Sequence, residues 1–70
     1  MTFVKGDAVK LVGFEKQYEV LVTGPGMDDE CFAGVITKTE YGVDEYHGVL
    51  SVGTYENDYC INEFVLVGEE

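Results

Sequence analysis

The sequence predicts an all-β domain: a small barrel of five or six short antiparallel strands with at most one helical turn. Apolar side chains recur with a period of two in several separate runs, the spacing of a strand with one buried face. No window sustains the 3.6-residue apolar period of a helix. Turn residues punctuate the chain at short intervals, and short strands so spaced favour closure, because flat sheets leave open edges.

The elements follow in order. Lys5-Gly6-Asp7 leads into a first strand, Ala8 to Val12, with Val9 and Leu11 on one face. Gln17 to Thr23 alternates, Tyr18, Val20 and Val22 pointing one way and Glu19, Leu21 and Thr23 the other. Gly24-Pro25-Gly26 suits a type II turn, since proline presets φ and glycine supplies the positive φ that follows. A third strand spans about Cys31 to Thr39, with Phe32, Gly34 and Ile36 on one face. The missing side chain of Gly34 predicts a bulge or a close backbone approach. Glu40 to His47 reads as a turn or long loop, and Gly48 to Gly53 as a short fourth strand bounded by glycines. Glu56-Asn57-Asp58 is a further turn signal ahead of Tyr59-Cys60-Ile61. A single helical turn is expected within Asn57 to Glu63, started by an Asn or Asp cap. Phe64 to Val67 closes the chain. No repeat or linker interrupts residues 1–70, which are expected to form one domain.

The opening Phe3-Val4-Lys5-Gly6-Asp7-Ala8-Val9-Lys10-Leu11 resembles the "F-x-x-G-D-x-V" start of SH3-like small β-barrels, including KOW and Tudor-like bacterial and phage proteins. The closing Asn62-Glu63-Phe64-Val65-Leu66-Val67 is similar to their final strand. The resemblance covers about fifteen residues at the two ends, implies an SH3-like barrel, and transfers no binding residue. The local physics of Gly-Asp is simple: glycine permits a tight bend and the aspartate bonds nearby backbone amides.

Seventy residues bury only about 60% of the unfolded chain's surface, so the core is thin. A hydrophobic content of 46% with four Phe and five Tyr still separates this chain from acidic disordered ones. The N-terminus lacks a signal-peptide apolar run, and no segment approaches the ~20 apolar residues of a membrane span. The expected location is therefore the cytoplasm, with no membrane partner. There Cys31 and Cys60 read as free thiols, small core fillers beside Phe32 and Tyr59.

Charge is the chain's most distinctive property. Its net charge is −10, with no arginine, and 14 acidic residues face four lysines. After residue 20, Lys38 is the one cation. A direct grip on nucleic acid is not expected, because phosphates demand Lys or Arg. A partner reached through this field is basic. The carboxylates cluster at Asp28-Asp29-Glu30, at Glu40 with Asp44-Glu45, and at Glu56 with Asp58. Tyr41 and Tyr46 flank the second cluster and Tyr55 begins the third; an aromatic beside a carboxylate attracts Arg or Lys through both π-face and charge. These eleven residues are the candidate partner-binding set. Tyr18 and Tyr59, in strand positions, are expected to pack inward.

Two binding functions fit. The first is a non-catalytic acidic protein docking on a basic surface, sharpest as a nucleic-acid mimic that inhibits a nucleic-acid-binding protein. Ten charges equal those on roughly 17 Å of duplex at one per ~1.7 Å, and small phage or mobile-element inhibitors share this size and charge. The second is an SH3-like adaptor or structural module reading a peptide through exposed tyrosines, its charge incidental. Either is expected as a monomer or weak homodimer. Catalysis is not expected: Ser51 lies in a predicted strand with no arranged His-acid pair, and no phosphate-binding glycine loop occurs. His47, beside Asp44 and Glu45, is too isolated for a metal centre, and Asp28-Asp29-Glu30 lacks the EF-hand spacing. No cofactor is expected.

Overall fold

A computed structural model describes residues 3–69. The lead-in is built by Asp7, whose Oδ2 accepts the Val4 N–H at 2.9 Å while its own N–H donates to the Val4 carbonyl at 3.0 Å. That bend drops Phe3 into the core and launches β1, Ala8–Leu11. β2 runs Tyr18–Pro25 and β3 Cys31–Thr39; β4 is Tyr55–Cys60 and β5 Phe64–Leu66. Short 3-10 turns occupy Glu45–Gly48 and Ile61–Glu63. All pairings are antiparallel, in the lateral order β4-β3-β2-β1-β5. The fold is therefore all-β, with five strands in one sheet.

The inward phase of each strand carries the core. Val9, Leu11, Val20, Val22, Phe32, Ile36, Tyr59 and Phe64 are all buried there with Phe3. Phe32 is the hub, its ring centroid 5.4 Å from Phe3, 5.4 Å from Tyr59 and 5.1 Å from Phe64. Tyr59 on β4 and Phe64 on β5 stand 5.8 Å apart although their strands are the sheet's two lateral extremes. The sheet is therefore curled, its ends brought together through the Ile61–Glu63 turn. Truncating Phe32 to Ala is expected to remove ~3–5 kcal/mol, a large share of the ~5–15 kcal/mol a small domain holds.

Gly34 makes the predicted close approach. A Cβ there would lie 2.3 Å from Val20 Cγ1 and 2.7 Å from the Leu21 carbonyl oxygen, and the β3–β4 register slips beside it.

Several sequence expectations give way. Gly24 and Pro25 belong to β2, and the turn follows at residues 26–30. Proline is tolerated because β1 pairs no further along β2 than Leu21, so at Pro25 only β3 stands alongside. Gly48 to Gly53 is not a strand but a series of turns, held by Ser51 Oγ donating to the Gly48 carbonyl at 2.6 Å. Glu56-Asn57-Asp58 is not a turn; it is the middle of β4. The expected helical turn shortens to Ile61–Glu63, and a second one, Glu45–Gly48, lies within the predicted loop. Cys60 is exposed and Cys31 half-buried, so neither fills the core; both thiols are free. Their positions alternate with the inward-facing Phe32 and Tyr59, which points them outward.

Candidate docking surface

β3 divides the predicted contact residues between two ends of the sheet. Its nine residues at ~3.3 Å each leave about 30 Å of strand between Glu30 and Glu40. Glu40, Tyr41, Asp44, Glu45 and Tyr46 lie beyond its far end, while Asp28, Asp29 and Glu30 form the turn at its start. Asp58 of β4 approaches that turn, its charge acting with that of Asp28 on Cys31, whereas Glu56 stands opposite Gly34, further into the sheet.

At the Glu40 end two of the three carboxylates, Glu40 and Glu45, are engaged internally. Lys16 Nζ donates to both Glu45 oxygens, at 2.8 and 3.0 Å, and the Gly42 N–H donates to Oε1 at 2.9 Å. The Gly42 amide and then Lys16 hold the Glu45 carboxyl below its ordinary pKa. The same bond, with Glu45's charge, raises that of Lys16. Glu40 Oε1 accepts the Gln17 N–H at 2.8 Å. Tyr41 donates its hydroxyl to the Lys16 carbonyl at 3.3 Å, and the Lys16 ammonium lies 5.5 Å from the Tyr41 ring centroid. Tyr46 stacks edge-on against Tyr41 at 5.7 Å. Its backbone and that of His47 adopt the left-handed region, φ 52° and 58°, which L-residues rarely occupy. Asp44 precedes this turn, exposed and without a side-chain capping bond. Nearby, Glu19 sits between Lys10 and Lys38 on the neighbouring strands.

The opposite end has a different chemistry. The turn docks on β4 through the Met27 N–H to the Asn57 carbonyl, 2.8 Å, and the Ile61 N–H to the Glu30 carbonyl, 3.0 Å. Glycine is required at 26, where a Cβ would meet the Asn57 carbonyl oxygen at 2.6 Å. Asp28 Oδ1 accepts the Glu30 N–H at 2.9 Å, fixing the turn by its own side chain. Among the described residues, the side chains of Asp29, Glu30, Glu56 and Asp58 meet no cation. Partial burial, a hydrogen bond to Asp28 and the charges of Asp28 and Asp58 push the Cys31 thiol up to about 11. Both carboxylates therefore act on one point of the surface. Asp29, Glu30, Cys60, Ile61 and Asn62 line a shallow cleft of about 350 Å³ there. Glu56 is half-buried and Asp58 exposed, and charge on such an edge strand also deters pairing with another chain.

Tyr55 belongs to neither end. It opens a row running across the outer face of four strands, Tyr55–Val35–Leu21–Ala8, in direct register. Tyr55 and Leu21 are 58% and 42% exposed, so this is an apolar stripe open to solvent. Sequence reasoning missed the stripe; its signal was Leu21, an apolar residue on the polar phase of an alternating strand. The pairing of Lys16 with Glu45 was also missed, for want of any local signal across 29 residues. Tyr18 and Tyr59 do pack inward. Tyr59 is 7% exposed, and Tyr18 is half-buried against Tyr59 and Phe64. Burial raises the Tyr18 phenol to about 12 and that of Tyr59 further, and the Tyr59 hydroxyl has no hydrogen-bond partner among the described residues.

Among the described residues, no three His, Cys, Asp or Glu side chains gather as a metal site, and no helix is long and apolar enough to cross a membrane. Comparison with family models, curated proteins and solved structures finds no match to this chain.

Proposed function

We propose that this chain is a non-catalytic binding module that docks on a basic protein surface through Asp28, Asp29, Glu30 and Asp58. One observation carries the reading: these carboxylates gather at one end of the sheet with no cation beside them among the described residues, whereas Glu40 and Glu45 at the other end are satisfied internally. Four charges equal those on roughly 7 Å of duplex at one per ~1.7 Å. That supports imitation of a few phosphates, and hence a partner that otherwise grips nucleic-acid backbone. The all-β fold with its Gly-Asp lead-in and short closing strand supports an SH3-like frame for it.

Capture from the source cell at low salt identifies the partner, and titration with variants tests the surface. Asp28→Asn/Asp29→Asn/Glu30→Gln is expected to weaken binding at least tenfold and flatten its salt dependence; Glu40→Gln is expected to leave both unchanged. Binding that survives the triple change, with nucleic acid failing to compete, overturns the proposal. The outer stripe favours a second reading, a peptide or protein held through Tyr55. It predicts the reverse: loss on Tyr55→Ala, with little response to salt.

A further inference from the structure

We propose that Cys31 and Cys60 are a modification site: they join in a reversible cross-strand disulfide when the protein meets a small-molecule disulfide such as oxidised glutathione. The two residues are direct partners in the β3–β4 register. The Ile61 N–H donates to the Glu30 carbonyl at 3.0 Å, one residue further out on each strand, which makes Cys31–Cys60 a non-hydrogen-bonded pair. Such pairs hold their Cα atoms about 4.5 Å apart, within the roughly 4.4–6.8 Å that a disulfide spans. Direct partners project to the same face. Here that face is outward, because the adjacent pair Phe32–Tyr59 points into the core. Both thiols are free, Cys60 exposed and Cys31 half-buried.

Accessibility sets the order of events. The Cys60 thiolate attacks one sulfur of oxidised glutathione, breaking its S–S bond and expelling one glutathione thiolate. Cys31 then loses its proton to solvent and attacks the Cys60 sulfur, expelling the second. Two cysteine thiols are oxidised, and two electrons with two protons leave as two glutathione thiols. The raised Cys31 thiol, beside Asp28 and Asp58, makes the second attack the slow one at neutral pH. The bond closes a loop of about thirty residues and ties the edge strand β4 to β3, restricting the unfolded chain. It stands whether or not the neighbouring carboxylates dock on anything.

The experiment incubates the reduced full chain with oxidised glutathione and reads intact mass, titratable thiols and Tm. Expected are a mass lower by two hydrogens, no titratable thiol, and a Tm raised by roughly 10 °C, all reversed by dithiothreitol. Cys31→Ser is expected to stop at a glutathione adduct on Cys60. Persistent adducts on the wild-type chain, disulfide-linked dimers, or two thiols still titratable at equilibrium would each overturn the proposal, and all are read on the wild-type protein even if the variant does not fold.

Discussion

At one end of β3, Glu40 and Glu45 are met by the Gln17 and Gly42 amides and by Lys16. At the other, Asp29, Glu30 and Asp58 project without any such donor among the described residues, on a turn whose backbone is fixed by Asp28 and β4. The same residue type thus serves two ends. Where a long-range donor arrives, a carboxylate fastens a loop to the sheet. Where none arrives, charge is held in place by backbone and neighbouring strand, and self-repulsion is tolerated. Net charge alone makes no such distinction, and a reading of all eleven candidates as one surface conflates structural acids with free ones.

The most disruptive test of this contrast is backbone packing. Gly26→Ala drives a Cβ to within 2.6 Å of the Asn57 carbonyl oxygen and the Cys31 carbonyl carbon, neither of which is a flexible side-chain end. A loss of ~2–3 kcal/mol is expected. Gly42→Ala, whose Cβ would approach nothing closer than Glu45 Oε1 at 3.6 Å, is expected to stay within ~0.5 kcal/mol. Equal denaturation midpoints for the two would show that the acidic turn is not built on its contact with β4.

A smaller effect comes from Tyr59, the buried residue of β4. Its hydroxyl is enclosed with no partner among the described residues, so Tyr59→Phe removes a desolvated dipole and keeps the ring contacts with Phe32 and Phe64. Stability is expected to rise by ~1 kcal/mol in urea denaturation. A fall would mean that the hydroxyl is hydrogen-bonded in solution.

Charge removal should separate the ends in sign. Asp29→Asn/Glu30→Gln/Asp58→Asn is expected to raise Tm by ~2–5 °C at low ionic strength, with the gain fading by ~0.5 M salt. Glu40→Gln is expected to lower it, since a neutral amide receives the Gln17 N–H less strongly. A rise in both would put the two ends on the same footing.

What the sequence disclosed, and what it hid, follows from the same physics. β1, β2, β3 and β5 are legible because each alternates around a buried valine, isoleucine or phenylalanine, and Gly34 is legible as a gap in that alternation. β4 is not. Only Tyr59 of its six residues is buried, and Glu56-Asn57-Asp58 carries turn composition because an edge strand answers to one neighbour and to solvent. Gly48 to Gly53 misleads the other way: Val49 and Val52 look like core, yet they are 49% and 63% exposed, and only Leu50 packs on the core cluster. The acidic clusters were visible one by one. Which of them stand free depended on Lys16 and Gln17 arriving from β2's side of the molecule, contacts that only the folded register creates.

The smallest expected effect is the most specific to the satisfied end. Lys16→Met keeps most of the side-chain volume over Tyr41 but removes both bonds to Glu45. Because the pair is exposed, global stability should barely change; the response should appear as faster amide exchange across residues 40–48. The pH dependence has a defined sign. Glu45 titrates lower in the folded protein than its ordinary 4.5, so its contribution is present above that value and lost as pH falls through the lowered one. Lys16 titrates higher than its ordinary 10.5, so its contribution is complete below that value and lost as pH rises beyond the raised one. Wild-type loop protection should therefore form a plateau from about pH 5 to 10, while the Met variant loses the alkaline shoulder and keeps a reduced acid one, because the Gly42 N–H still donates to Glu45. Identical exchange in the two proteins across that range would mean that the loop is held by Tyr41 and Glu40 alone, and that the two ends differ less than their carboxylate partners imply.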